Sequence, residues 1–184
     1  GPNGWLEAPV DRRRGDWVWR PEFELERRPS IPILVVDADG DGDNDIVWGS
    51  AHDYGVFWLE QAAGSGEERV WRRHAIDTTW SQAHALLWED VDGDGRKDLI
   101  AGKRYMAHDG KDPGAYDPHV IYWYAFDEKA KSWERHVISS GERAGFGLDP
   151  KAAVLDGDGD LDVVVSGRSG LYWMENRQVR GNDS

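Results

Sequence analysis

The 184-residue chain has no cysteine. Disulfides, thiolate metal sites and a cysteine nucleophile are therefore excluded, and the redox compartment is left open. No apolar run reaches the roughly 18 residues that a membrane-spanning helix needs. Positive charge is scarce: 22 Lys and Arg stand against 35 Asp and Glu, a net charge of −13. Such a chain lacks the clustered cations that grip a nucleic-acid backbone or an anionic membrane surface. It has no nucleophile elbow and no Walker-type loop, and its Gly-rich segments are acidic, so they repel phosphate. No secretory signal stands at Gly1. The opening Gly1-Pro2 has the form of a protease scar, which is compatible with an export signal removed beforehand. What is abundant is Trp, with 11 residues, and Gly, with 22. Disordered chains are poor in aromatics. The length suits one domain with a sizeable core.

The acidity is concentrated in three segments that share one register. Loop one is Asp37-Ala38-Asp39-Gly40-Asp41-Gly42-Asp43-Asn44-Asp45. Loop two is Asp90-Val91-Asp92-Gly93-Asp94-Gly95-Arg96-Lys97-Asp98. Loop three is Val154-Leu155-Asp156-Gly157-Asp158-Gly159-Asp160-Leu161-Asp162. Together they hold 13 Asp, matching the whole net charge. Like charges this dense destabilise a compact state unless a cation joins them.

Carboxylates at positions 1, 3, 5 and 9, with Gly at position 6 for a sharp turn, present hard oxygen donors around one point. Position 7, held by Asp43, Arg96 and Asp160, adds a backbone carbonyl. That donor set suits Ca²⁺, whereas zinc and copper favour His or Cys. An EF-hand needs Glu at position 12, where this chain has Trp48, Ala101 and Val165, and it needs flanking helices. Short apolar β-branched runs follow the loops instead: Ile46-Val47-Trp48, Leu99-Ile100-Ala101 and Val163-Val164-Val165. These read as strands. The expectation is two calcium sites, at loops one and two. At loop three Val154 replaces the first ligand, leaving a weak site or an empty turn.

The repeat extends past the loops. Apolar runs precede them, and aromatic strands follow: Val56-Phe57-Trp58-Leu59, Ile121-Tyr122-Trp123-Tyr124 and Leu171-Tyr172-Trp173-Met174. Two of these lead into Trp71-Arg72-Arg73-His74 and Trp133-Glu134-Arg135-His136. Recurrence at a repeat position points to a structural role for these His and Arg residues. Four short strands per unit with periodic aromatics is the pattern of a β-propeller blade.

The Asp-x-Asp-Gly-Asp-Gly-x-x-Asp loop followed by an apolar strand resembles the FG-GAP or VCBS repeat, typified by the integrin α-subunit propeller. The resemblance covers about residues 31–177. Gly145-Phe146-Gly147 echoes the Phe-Gly element, although no Gly-Ala-Pro follows. It implies an all-β, calcium-stabilised propeller fold, usually extracytoplasmic (secreted or periplasmic). The expected layout is three blades at about 31–80, 81–140 and 141–177. Residues 1–30 form an N-terminal segment whose Trp17–Arg20 strand is placed to complete a blade, and 178–184 form a tail. Propellers have about four to eight blades. Three blades imply either part of a larger propeller or a ring completed by further copies.

Blade two carries an insertion from Lys103 to His119. A long loop in a compact repeat is often functional. The stretch around Ser81–Ala85, Asp90–Asp98 and Gly102–Tyr105 with His108 is also similar to the propellers of bacterial proteins related to aldos-2-ulose dehydratases. That similarity implies β-elimination of water from a keto sugar. His84 or His108 would act as base, Lys103 or Arg104 would hold the oxyanion, and Tyr105 would assist. A zinc site from His84, His108 and His119 lacks close His spacing. Two functions therefore stand open. One is a calcium-binding module for carbohydrate or a protein partner. The other is a carbon–oxygen lyase acting on a sugar.

Overall fold

The computed structural model describes residues 3–25, 29, 31–64 and 69–177. The expected tail of 178–184 lies outside the described residues. Four antiparallel sheets follow one another along the chain. A hairpin pairs β1 (Asn3–Glu7) with β2 (Val18–Phe23). Sheet one is a meander of β3 (Leu34–Val36), β4 (Asp45–Gly49), β5 (Tyr54–Ala63) and β6 (Arg69–Ser81). Sheet two repeats it with β7 (Ala83–Glu89), β8 (Asp98–Lys103), β9 (Val120–Asp127) and β10 (Ser132–Ser140). Sheet three has β11 (Lys151–Ala153), β12 (Asp162–Gly167) and β13 (Gly170–Met174). These all-β, blade-like meanders agree with the propeller-type architecture expected from the repeat.

Strand alternation stacks the sheets. On β4, Val47 points into a core shared with Leu86, Leu99 and Tyr124 of sheet two. Its neighbours Ile46 and Trp48 point the other way, toward Phe23, Leu25 and Trp71. On β8, Leu99 and Ala101 face sheet one, while Ile100 joins Phe146, Val163 and Val165 from the side of sheet three. Both faces of β4 and β8 are thus covered, so every residue of each is buried. That is why these strands read as nearly continuous apolar runs rather than as alternations.

Trp17–Arg20 does not add a strand to sheet three. Its residues from Val18 onward pair with β1, and this hairpin brings Phe23 and Leu25 onto the outer face of sheet one. Sheet three keeps three strands among the described residues. Its outer side leaves Leu171 at 74 % and Trp173 at 51 % exposed. Trp173 therefore differs from Trp58, which is buried between sheets one and two.

The recurrent His and Arg residues are structural. His74 stacks on Trp58 at 4.6 Å, and His136 stacks on Trp123 at 4.0 Å, each pair joining adjacent strands. Arg73 lies over Phe57 and Arg135 over Tyr122. A polar tie crosses from sheet one to sheet two at Asp77. Its Oδ2 accepts from Tyr124 Oη at 2.9 Å and Arg135 Nη1 at 3.0 Å, and its Oδ1 accepts from Thr79 N and Oγ1. Phe146 of the Phe-Gly echo is fully buried against Gly102, where any Cβ would collide with its ring.

Candidate metal loops and ligand surfaces

Loops one and two have the same hydrogen-bond pattern. Asp37 accepts from Gly40 N at 2.9 Å and Gly42 N at 3.1 Å. Asp90 accepts from Gly93 N at 2.8 Å and Gly95 N at 3.0 Å. These bonds need positive φ at positions 4 and 6: 78° and 96° in loop one, 73° and 92° in loop two. Glycine adopts such angles without a steric penalty. Asp39, Asp41, Asp92 and Asp94 each accept from the N–H two residues on, as do Asp156 and Asp158 in loop three.

This wrapping gathers oxygens. Single carboxylate oxygens of Asp37, Asp39 and Asp41 lie within 4.8 Å of one another, and so do those of Asp90, Asp92 and Asp98. Burial, then the charges of Asp92, Asp94 and Asp90, push Asp98 up to about 7. Burial pushes Asp45 up to about 6, with Asp39 adding to it. All the gathered side-chain donors are oxygens, which fits a hard cation. The Arg96 side chain pairs with Glu128 at 2.7 Å, so only its carbonyl is available at position 7. Lys131, from the turn between β9 and β10, lies 3.4 Å from Asp39. Its proximity has no signal in the local spacing.

Position 9 has a second role. Asp45, Asp98 and Asp162 are buried at the starts of β4, β8 and β12. Each accepts from the N–H of position 2: Ala38 at 3.2 Å, Val91 at 3.0 Å and Leu155 at 3.0 Å. Asp45 also accepts from Gln61 N in the third strand of its sheet, and Asp162 from Asn176 N just past the third strand of its own, so each braces its loop to that end of the sheet. Loop three keeps this brace but has Val154 at position 1, 45 % exposed. Among the described residues, no group of three metal-type donors gathers there.

The blade-two insertion folds back onto sheet one. Tyr54 Oη donates to Asp117 at 2.6 Å, and Gln82 Nε2 donates to Pro113 O at 3.3 Å. Lys103 is fully buried and donates to Ser81 Oγ at 2.9 Å and Gly114 O at 2.7 Å. Its ammonium pins the insertion and is enclosed, away from any solvent-borne substrate; burial lowers its pKa.

The other four residues singled out in this region divide into two groups. His84, Arg104 and His108 gather around His52 and Asp112. His52 Nδ1 lies 3.0 Å from Asp112 Oδ2 and 3.2 Å from Arg104 Nη2. His108 Nδ1 lies 3.2 Å from the same Asp112 oxygen. The rings of His52 and His108 stack at 4.5 Å, and His84 stands edge-on to His52 at 6.3 Å. Burial, aided by Arg104 and His52, lowers the His84 pKa to about 4, so it is neutral near pH 7. Tyr105 instead turns to His119, at 4.7 Å, in a cavity of about 650 Å³ with Arg104, Arg143 and Arg168. His52 and Asp112 are 60 residues apart, and no motif links them.

A second cavity, about 680 Å³, lies between the hairpin and sheet one. Trp5, Trp19 and Trp71 line it beside Asn3, Asn44 and Gln61. The buried indole N–H groups of Trp5 and Trp71 have no acceptor.

Stacked antiparallel meanders, each with an Asp/Gly loop between its first two strands, define a blade-like repeat protein. Residues 37–101 match the family model of the FG-GAP-like repeat, so the chain carries that repeat. The match spans loop one through the strand after loop two, where the two loop geometries coincide. No curated protein matches the chain. Among the described residues, no helix is long and apolar enough to cross a membrane.

Proposed function

We propose that the chain is a calcium-binding FG-GAP-type module that takes a carbohydrate in the cavity between the hairpin and sheet one. The observation that carries the binding reading is the cavity's lining. Flat indole faces suit the C–H faces of a sugar ring, and the side-chain amides of Asn3, Asn44 and Gln61 suit its hydroxyls. Calcium is held by Asp37, Asp39 and Asp41 in loop one and by Asp90, Asp92 and Asp98 in loop two. Asp94 and the carbonyls of Asp43 and Arg96 complete the shells. The ion's contribution is charge neutralisation of loops that otherwise repel themselves. Oxygen loops of this type suit an extracytoplasmic setting, where calcium is abundant enough to fill weak sites.

The test is glycan-array screening followed by calorimetry in calcium. Trp19→Ala, at a half-exposed wall of the cavity, should abolish binding while leaving the circular dichroism unchanged. Glycan binding that persists in this variant refutes the cavity as the site, and no glycan binding at all leaves a protein partner as the ligand.

A second reading, β-elimination on a keto sugar, is favoured by the gathering of His84, Arg104 and His108 at one surface. Its test is enone absorbance on incubation with keto sugars. Turnover that collapses in His84→Ala supports it, and no turnover in the intact chain removes it.

A further inference from the structure

The geometry points to a transition-metal site, distinct from the calcium loops, formed by His52, His108 and Asp112, which takes Zn²⁺ or a similar borderline cation. The inference does not rest on the carbohydrate reading, and it shares His108 and Arg104 with the β-elimination reading.

The first argument is hydrogen-bond frustration. His52 Nδ1 faces a carboxylate oxygen at 3.0 Å and a guanidinium nitrogen at 3.2 Å. If Nδ1 carries a proton, it donates to Asp112 and opposes an N–H of Arg104. If it carries a lone pair, it accepts from Arg104 and opposes the lone pairs of Asp112. Neither tautomer satisfies both neighbours. His108 Nδ1 adds a third group at the same carboxylate oxygen, 3.2 Å away. A cation among the three donor atoms removes the conflict once the stacked His52 and His108 rings turn their Nδ1 lone pairs toward it.

The second argument is spacing. Tetrahedral zinc with bonds of about 2.0–2.1 Å sets its ligand atoms about 3.3 Å apart. The two nitrogen-to-oxygen separations here are 3.0 and 3.2 Å, and all three donor atoms lie within 4.8 Å of one another. Two imidazoles and one carboxylate suit zinc and its first-row neighbours, while calcium prefers oxygens throughout.

The third argument is backbone strain. Met106, His108 and Asp109 have φ of 44°, 49° and 57°, three non-glycine residues in the left-handed region within four positions. Such strain tends to cluster at ligand sites. Here it places His108 over His52. The Asp112 side chain is only 8 % exposed. Beyond these ligands, His84 offers a buried Nδ1 with no partner, beside His52. Three protein ligands leave a coordination position for water or a ligand oxygen. Arg104 Nη2, 3.8 Å from Asp112, occupies the place of a competing cation. Metal binding displaces it toward the neighbouring cavity that it also lines.

The test uses the full chain, saturated with calcium so that the aspartate loops are filled, and stripped of transition metals. Titration with Co²⁺ is followed by its visible absorption, and titration with Zn²⁺ by calorimetry. One equivalent should bind. His52→Ala and Asp112→Asn should each weaken binding about 100-fold or more. His108→Ala, at an exposed loop position, should do the same with an unchanged melting temperature in calcium alone. Arg104→Met should tighten Zn²⁺ by about tenfold, because it removes a like charge from the site. No binding of either ion overturns the proposal. So does binding that survives in His52→Ala and His108→Ala, or Arg104→Met that weakens it.

Discussion

Replacing Asp77 tests how the first two sheets are held together. Its carboxylate receives four donors, two from Thr79, one from Tyr124 and one from Arg135. In Asp77→Ala the buried Tyr124 hydroxyl loses its acceptor while still accepting from Trp80 Nε1 at 2.9 Å. A buried donor left unpaired costs about 1–3 kcal/mol. The Arg135 side chain is 43 % exposed and rehydrates, so its loss counts for less. Thr79 is near the surface and finds water. The expected total is about 3 kcal/mol, and a chain of this size loses about 2–4 °C of melting temperature per kcal/mol. The melt should therefore drop by about 6–12 °C. Burial alone would raise the Asp77 pKa, but its hydrogen bonds from Thr79, Tyr124 and Arg135 outweigh burial and hold it below the usual value. A depressed folded-state pKa gives stability that is present above the unfolded pKa and lost as pH falls through the folded one. Asp77→Asn should accordingly flatten the acid limb of the stability curve below about pH 4. The assay is thermal and urea unfolding followed by tryptophan fluorescence from pH 2.5 to 7. A loss under about 1 kcal/mol in Asp77→Ala, with an unchanged acid limb in Asp77→Asn, would refute the tie.

Removing calcium with EDTA should lower the melting temperature by about 5–10 °C per filled site, since saturation at about 100 times the dissociation constant adds about 2.7 kcal/mol; calorimetry should count two sites, and no shift on chelation refutes calcium at the loops. Gly95→Ala forces φ near 92° on a residue with a side chain, although nothing lies within 4 Å of the new methyl. The cost is conformational, about 1–2 kcal/mol, and should appear as weaker calcium binding in calorimetry together with a lower melt. Trp58→Ala should cost about 3–5 kcal/mol in urea unfolding, because it empties the core between sheets one and two, whereas Trp173→Ala, at a half-exposed position, should cost under about 1 kcal/mol. Light scattering in calcium tests whether copies assemble through the exposed face of sheet three: a dimer or larger species that Trp173→Asp converts to monomer supports assembly, and a monomer throughout refutes it.

The loops were legible in the sequence because their physics is local. A first Asp that accepts from N–H groups three and five residues ahead, and Asp at positions 3 and 5 that accept from two ahead, with glycines at the two left-handed positions, are specified within nine residues. The strands followed for the same reason, as did the structural role of His74 and His136, since repetition at one register marks a shared structural place; that they stack on Trp58 and Trp123 came from the fold. The fate of Lys103 was not legible. Its side chain suited an oxyanion, yet folding encloses it under Gly114, a contact set by the path of the insertion. The blade-completing role expected for Trp17–Arg20 also depended on what lay beside it, and in the fold that neighbour is β1.

By itself, then, the sequence determined the all-β repeat, its Asp/Gly loops and the missing first carboxylate of the third, where Val154 stands, because each rests on residues within a turn or on strand alternation. Tertiary structure alone decided that the hairpin covers sheet one, that Lys131 reaches Asp39 across 92 residues, and that His52 meets Asp112 across 60. Such meetings are products of the order in which sheets stack and of where an insertion is pinned, and no spacing along the chain encodes them.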